Sequence, residues 1–160
     1  MNRIELYQKT VDTLFDAYNN GTLQHGNCLD CAVGNICGSD AWSARFVTMI
    51  DVKTCEIRRG VASHRKFSQE EIETCISNSG YSEEELKSIE YAFEASIAEN
   101  YYEFINYSPK RGQYIGLCAV LKVLSEIHEV DQTNHEEVSN KLNCIYEVKK
   151  GVLGELVEVS

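Results

Sequence analysis

Proline is nearly missing from this chain: Pro109 is the only one in 160 residues. With ten glycines beside it, collagen-like and linker-dominated architectures are excluded. No unbroken apolar run approaches the ~18 residues that a membrane-spanning helix needs. Basic charge is also scarce, with 15 Lys and Arg against 25 Asp and Glu and a net charge of −10. Proteins that bind nucleic acid draw much of their affinity from neutralising phosphates, so DNA or RNA is not expected as the main partner. The one local basic patch, Arg58-Arg59 with His64-Arg65-Lys66, reads as a solvated connector in that acidic background.

Hydrophobic residues make up 43% and charged residues 25%, which matches an ordinary globular protein and excludes a disordered chain. The length is about that of one domain. No linker-like stretch or internal repeat divides it, so residues 1–160 are read as a single domain. Seven cysteines stand at positions 28, 31, 37, 55, 75, 118 and 144. An odd number cannot pair completely within one chain. Met1-Asn2-Arg3-Ile4-Glu5-Leu6-Tyr7 offers no apolar stretch for a secretory signal. The expectation is a cytoplasmic protein with reduced thiols.

Hydrophobic periodicity predicts a mainly α fold, a compact bundle of five to seven helices. Ile4, Tyr7, Val11, Leu14, Phe15 and Tyr18 recur at helical spacing, and Asn19-Asn20-Gly21 ends that helix. Two later helix starts carry capping boxes with hydrophobic staples. One has Ser68, Glu71 and the Phe67–Ile72 pair; the other has Ser82, Glu85 and Tyr81–Leu86. The second of these helices shows an apolar stripe of Leu86, Ile89, Phe93, Ile97, Tyr101 and Phe104 and is predicted to run to about Asn106, closed by Ser108-Pro109. Residues 114–124 are apolar on nearly every side and read as a buried central helix. Asn134 is predicted to start a last helix, with Glu137 in the capping-box position. Residues 46–57 are rich in strand-favouring types. They form either a strand, pairing with the similar tail after Gly151 in a small two-stranded sheet, or the end of a helix through Trp42.

The stretch richest in chemistry reads His-x2-Cys-x2-Cys-x5-Cys over His25, Cys28, Cys31 and Cys37. Zinc accepts cysteine and histidine in four-coordinate sites, and Gly26, Gly34 and Gly38 would let the backbone turn around an ion. An iron–sulfur cluster is a variant of this reading, with Cys55 or Cys75 as a remote fourth ligand. Against it, Cys31 and Cys37 on one helix would point about 120° apart. The packing alternative makes Cys28, Cys31 and Cys37 small core residues, with Ala32 and Gly34 allowing close helix contact. Redox chemistry at Cys28-Leu29-Asp30-Cys31 is disfavoured, because the Asp30 charge opposes thiolate formation. Cys55, Cys75, Cys118 and Cys144 read as core packing. His128 and His135 read as residues at helix ends. Tyr101, Tyr102, Phe104 and Tyr107 read as packing, with any outward-facing members an interaction surface.

His25-Gly26-x-Cys28-x-x-Cys31-Ala32-Val33-Gly34-Asn35, with a lesser likeness from Gly116-Leu117 to Ile127-His128, resembles a motif in small proteins of gut anaerobic bacteria and their phages. The resemblance implies a bacterial or phage origin and carries no activity. No phosphate-cradling glycine loop, serine-nucleophile elbow or calcium loop occurs. The expected function is therefore a non-enzymatic acidic accessory protein that binds a protein partner or its own copy. The alternative is a small protein that binds zinc or an iron–sulfur cluster through His25, Cys28, Cys31 and Cys37.

Overall fold

Asn2 accepts the Glu5 amide while the Glu5 side chain returns to the Asn2 amide, and this capping box starts α1 (Arg3–Asn20). Gly21, at φ 75°, ends the helix in the left-handed conformation. The computed structural model describes residues 1–50, 56–61, 66–99 and 109–153. After α1 come α2 (Ala32–Cys37), a 3-10 helix (Ala41–Ala44), β1 (Val47–Ile50) and β2 (Ile57–Gly60). Then follow α3 (Gln69–Asn78), α4 (Glu83–Glu99), α5 (Pro109–Ile127) and α6 (Gln132–Leu153). The protein is mainly α, with six α-helices and a small two-stranded sheet among the described residues. None of these helices is long and apolar enough to cross a membrane.

The cap at Ser68 forms as predicted, with both arms of its box closed. The Ser82 and Glu85 arms close likewise at the start of α4. Two boundaries differ from expectation. Pro109 opens α5, where its missing N–H costs no intrahelical bond. The last helix begins at Gln132, because the Asp131 carboxylate takes the Asn134 N–H at 2.8 Å. That is one turn-start earlier than the Asn134 and Glu137 box would give.

The sheet also pairs differently. β1 lies antiparallel to β2, with Thr48 opposite Arg59 and Met49 opposite Arg58. The Arg58-Arg59 stretch, read as a connector, is thus a strand, and Gly151 to Leu153 belong to α6. Residues 51–55 (with Cys55), His64-Arg65, the tyrosine cluster at 101–107 and the tail beyond 153 lie outside the described residues.

The core runs along α1, α4 and α5, where Leu14, Leu86, Ile89, Phe93, Leu117, Val120 and Leu124 are fully buried. Tyr81 ties three elements together. Its hydroxyl sits 2.7 Å from Thr10 Oγ1 on α1 and 2.8 Å from His128 Nε2 beyond α5. Gly116 lets α5 close on α4. A Cβ there would lie 2.7 Å from Phe93 Cε1 and 2.8 Å from His25 Nε2. At a solvent-facing helix position, glycine to alanine stabilises by about 1 kcal/mol. Here the sign reverses: Gly116→Ala is expected to lower the unfolding free energy by about 1–3 kcal/mol through overpacking, read by urea denaturation.

Candidate functional site

The turn from His25 to Cys31 is held by local hydrogen bonds before it meets the core. Asn27 Oδ1 accepts the amides of Leu29 and Asp30, and the Gln24 amide bonds to the Asp30 carbonyl at 2.8 Å. Asn35 Nδ2 reaches the carbonyls of Thr22, Asp30 and Cys31, bolting the turn to α2. Trp42 Nε1 donates to the Cys28 carbonyl at 3.0 Å. Gly34 is required by the same packing, since a Cβ would run into the carbonyls of Cys28 and Leu29.

Against this turn α4 sets two buried glutamates one helical turn apart, Glu90 at 3% and Glu94 at 6% exposure. Both oxygens of Glu94 lie 3.1 Å from the Gly26 amide, which the left-handed Gly26 backbone aims at them. Glu90 accepts the Thr48 amide at 2.7 Å and also the Thr48 hydroxyl. Burial raises both carboxyls, Glu94 to about 8, and the neighbouring Glu90 charge adds to the rise at Glu94. At Glu90 the Thr48 bonds and the Arg59 charge act in the opposite direction.

The four proposed ligands take separate places. The His25 ring stacks on Phe93, with centroids 4.1 Å apart, and its Nε2 lies 3.0 Å from the Phe93 carbonyl. Burial lowers its pKa to about 4, so the ring is neutral at pH 7. Cys31 caps α2 by accepting the Gly34 amide at its sulfur, 3.3 Å away, and burial pushes its thiol well up. Cys28 is half-buried, and burial raises its thiol while Ser43 acts in the opposite direction. Cys37 ends α2, and burial, with Cys75 on α3 acting in the same direction, pushes its thiol up. Among the described residues no three His, Cys, Asp or Glu side chains are placed to hold a metal ion. The sequence brings Cys28 and Cys31 into one turn, but helix capping, ring stacking and the Cys75 contact occupy the set in different directions.

A second feature lies on the far side of Glu90. An open groove of about 340 Å³ between the ribbon and α4 is lined by Arg45, Arg59, Lys87, Thr48, Val61 and Glu90. The Arg59 guanidinium lies over the Tyr91 ring at 4.7 Å. Arg45 and Lys87 reach Glu83 at 3.5 and 3.6 Å. Sequence reading missed Glu90 and Glu94, yet a signal existed: both fall in phase with the Leu86–Ile89–Phe93 stripe. No protein-family model, curated protein or solved structure matches the chain.

Two outcomes follow from this geometry. The folded Glu94 carboxyl titrates near 8 and the unfolded one near 4.5, so the native state holds an extra proton in between. The Glu94 contribution to stability is complete below about 4.5 and is lost as pH rises toward 8, while the buried His25 ring acts the other way below its ordinary value of 6.5. Glu94→Gln removes the ionisation. It is expected to flatten the pH dependence of the melting midpoint and to gain about 1 kcal/mol or more on the wild type above the folded pKa. With His25 and Cys31 already engaged by protein groups, a strong chelator is expected to leave the melting midpoint and circular dichroism of the purified protein unchanged.

Proposed function

We propose that this is a non-enzymatic accessory protein of the cytoplasm that works by binding another protein, and that the β1–β2 ribbon is its binding face. The observation that carries this reading is a gathering of cations and exposed apolar side chains on and beneath one small ribbon of a strongly anionic chain. Met49 is 50% and Val61 55% exposed. Met49 and Arg58 are paired across the ribbon and share its outer face, opposite the face that carries Thr48 and Arg59 toward α4. Arg45, Arg59 and Lys87 line the groove beneath. Four of the chain's 15 basic residues thus gather at one edge of a molecule with 25 acidic ones.

The occupant that fits is a protein segment with alternating acidic and apolar side chains. Its apolar groups would cover Met49 and Val61, and its carboxylates would meet the arginines, whose planar donors pair with carboxylates in bidentate fashion. Apolar anchors supply affinity, and the charges set orientation and association rate. Free cysteines at six described positions agree with a reducing compartment.

The test compares partner capture from the native cell by three proteins: the wild type, a Met49→Asp/Arg58→Glu variant, and a variant altered at the remote Gln8. A partner held by the wild type and the Gln8 variant, and weakened at least about tenfold by the ribbon changes, is the expected result. Equal retention by the ribbon variant, with its melting midpoint intact, would overturn the reading.

A further inference from the structure

β1 and β2 pair along one edge each, and their register decides what the other edges offer. Thr48 stands opposite Arg59, yet its amide turns away from β2 and donates to Glu90 at 2.7 Å. In an antiparallel pair, residues that bond across the ladder alternate with residues whose main-chain groups point outward. Thr48–Arg59 and Ile50–Ile57 are therefore the outward pairs, and Val47–Gly60 and Met49–Arg58 carry the ladder. Glu90 of α4 closes the outer edge of β1. Among the described residues nothing closes that of β2, where the N–H and C=O of Ile57 and Arg59 point off the free edge. Ile57, Arg58 and Arg59 are all exposed.

We propose that this edge receives an extended segment of the protein partner as a third strand, bonded through its main chain to Ile57 and Arg59. The inference rests on the ribbon being the binding face, and it adds how the partner is held. In strand addition the main-chain bonds supply affinity, and the side chains that fall opposite one another supply specificity. Opposite Arg58 and Arg59 the fitting side chains are carboxylates, because unlike charges across a strand pair stabilise it. Opposite Ile57 and Val61 they are apolar, since those residues are 37% and 55% exposed. The segment is thus a pair of acidic residues flanked by apolar ones.

Charge also selects against a second copy of this chain as the occupant. The antiparallel register in which two β2 strands bond through both Ile57 and Arg59 sets Arg58 directly opposite its own counterpart. Like charges in that position are destabilising. The fold itself does not obstruct the edge. α4 packs against β1, so a strand added beyond β2 lies on the side away from that contact.

The experiment titrates the full chain with a capped peptide that holds two adjacent glutamates between valines, about six residues long to match a short strand. Amide hydrogen exchange by NMR is the readout. In the free protein the Arg58 and Gly60 amides are expected to exchange slowly and those of Ile57 and Arg59 fast, and the peptide slows the second pair. The same peptide N-methylated along its length keeps its side chains and is expected to bind at least about tenfold more weakly, the size of one main-chain bond. Lysines in place of the glutamates abolish binding. Ile57→Pro, at a strand's first residue, removes an N–H that β1 does not use. It is expected to weaken the first peptide while the Arg58 amide stays slow. Undiminished binding of the methylated or the lysine peptide, or no slowing at Ile57 and Arg59, would overturn strand addition. So would slow exchange of those two amides in the free protein that grows with its concentration, which marks pairing of two copies. Capture of the native partner undiminished by Met49→Asp/Arg58→Glu would instead sink the binding-face reading itself, a separate result.

Discussion

A four-residue strand paired along one edge leaves amides on its other edge, and a glycine turn leaves more; in this protein one helix supplies acceptors for both. Glu90 takes the Thr48 amide and hydroxyl, and Glu94 takes the Gly26 amide. A buried amide without an acceptor costs about 1–3 kcal/mol, so each carboxylate replaces a structural partner that the fold lacks. The ribbon and the cysteine turn are held to the same face of α4 by this means.

Placing two carboxyls one turn apart in an apolar stripe has a cost that the rest of the site is arranged to limit. Burial and mutual repulsion disfavour two charges, and the two sites answer differently. Glu90 is compensated by two donors from Thr48 and by the Arg59 field. Glu94 has one amide shared between two oxygens, and its pKa is displaced to about 8. The difference in donor number thus decides which of the pair keeps its proton near neutrality. A charge-neutral Glu94 suits its surroundings, which include the neutral His25 ring stacked on Phe93 and the protonated Cys31.

The helices were legible because their signals are local. Capping boxes at Ser68 and Ser82 and the stripe through Leu86, Ile89 and Phe93 act within one or two turns, and each appears where the pattern puts it. The hairpin was not legible, because the pairing partner of β1 is a segment dominated by Arg58 and Arg59, whose composition resembles a solvated loop. What makes it a strand is tertiary: Arg59 covers the Tyr91 ring, and β1 is anchored by Glu90. The cysteine spacing was legible as a turn, but spacing says nothing about what else competes for each side chain. Phe93 for His25, the Gly34 amide for Cys31 and Cys75 for Cys37 come from three different parts of the chain. Glu90 and Glu94 were readable only as acidic residues out of place on an apolar stripe. That clue becomes a site only when the strand and turn they serve are known.

On the proposed reading, the same charge distribution would give the ribbon its selectivity. At physiological ionic strength fields fade over about 8 Å, so the excess of acid on distant helices neither repels nor attracts a segment already at the ribbon. Close to the ribbon stand Arg45, Arg58, Arg59 and Lys87, with Glu83 and Glu84 paired to Arg45 and Lys87 and Glu90 holding the Thr48 amide and hydroxyl. Farther out, the net charge of −10 would repel an acidic partner. Repulsion from the bulk and attraction at the ribbon would then act together: the first would discourage wrong orientations, and the second would favour the right one.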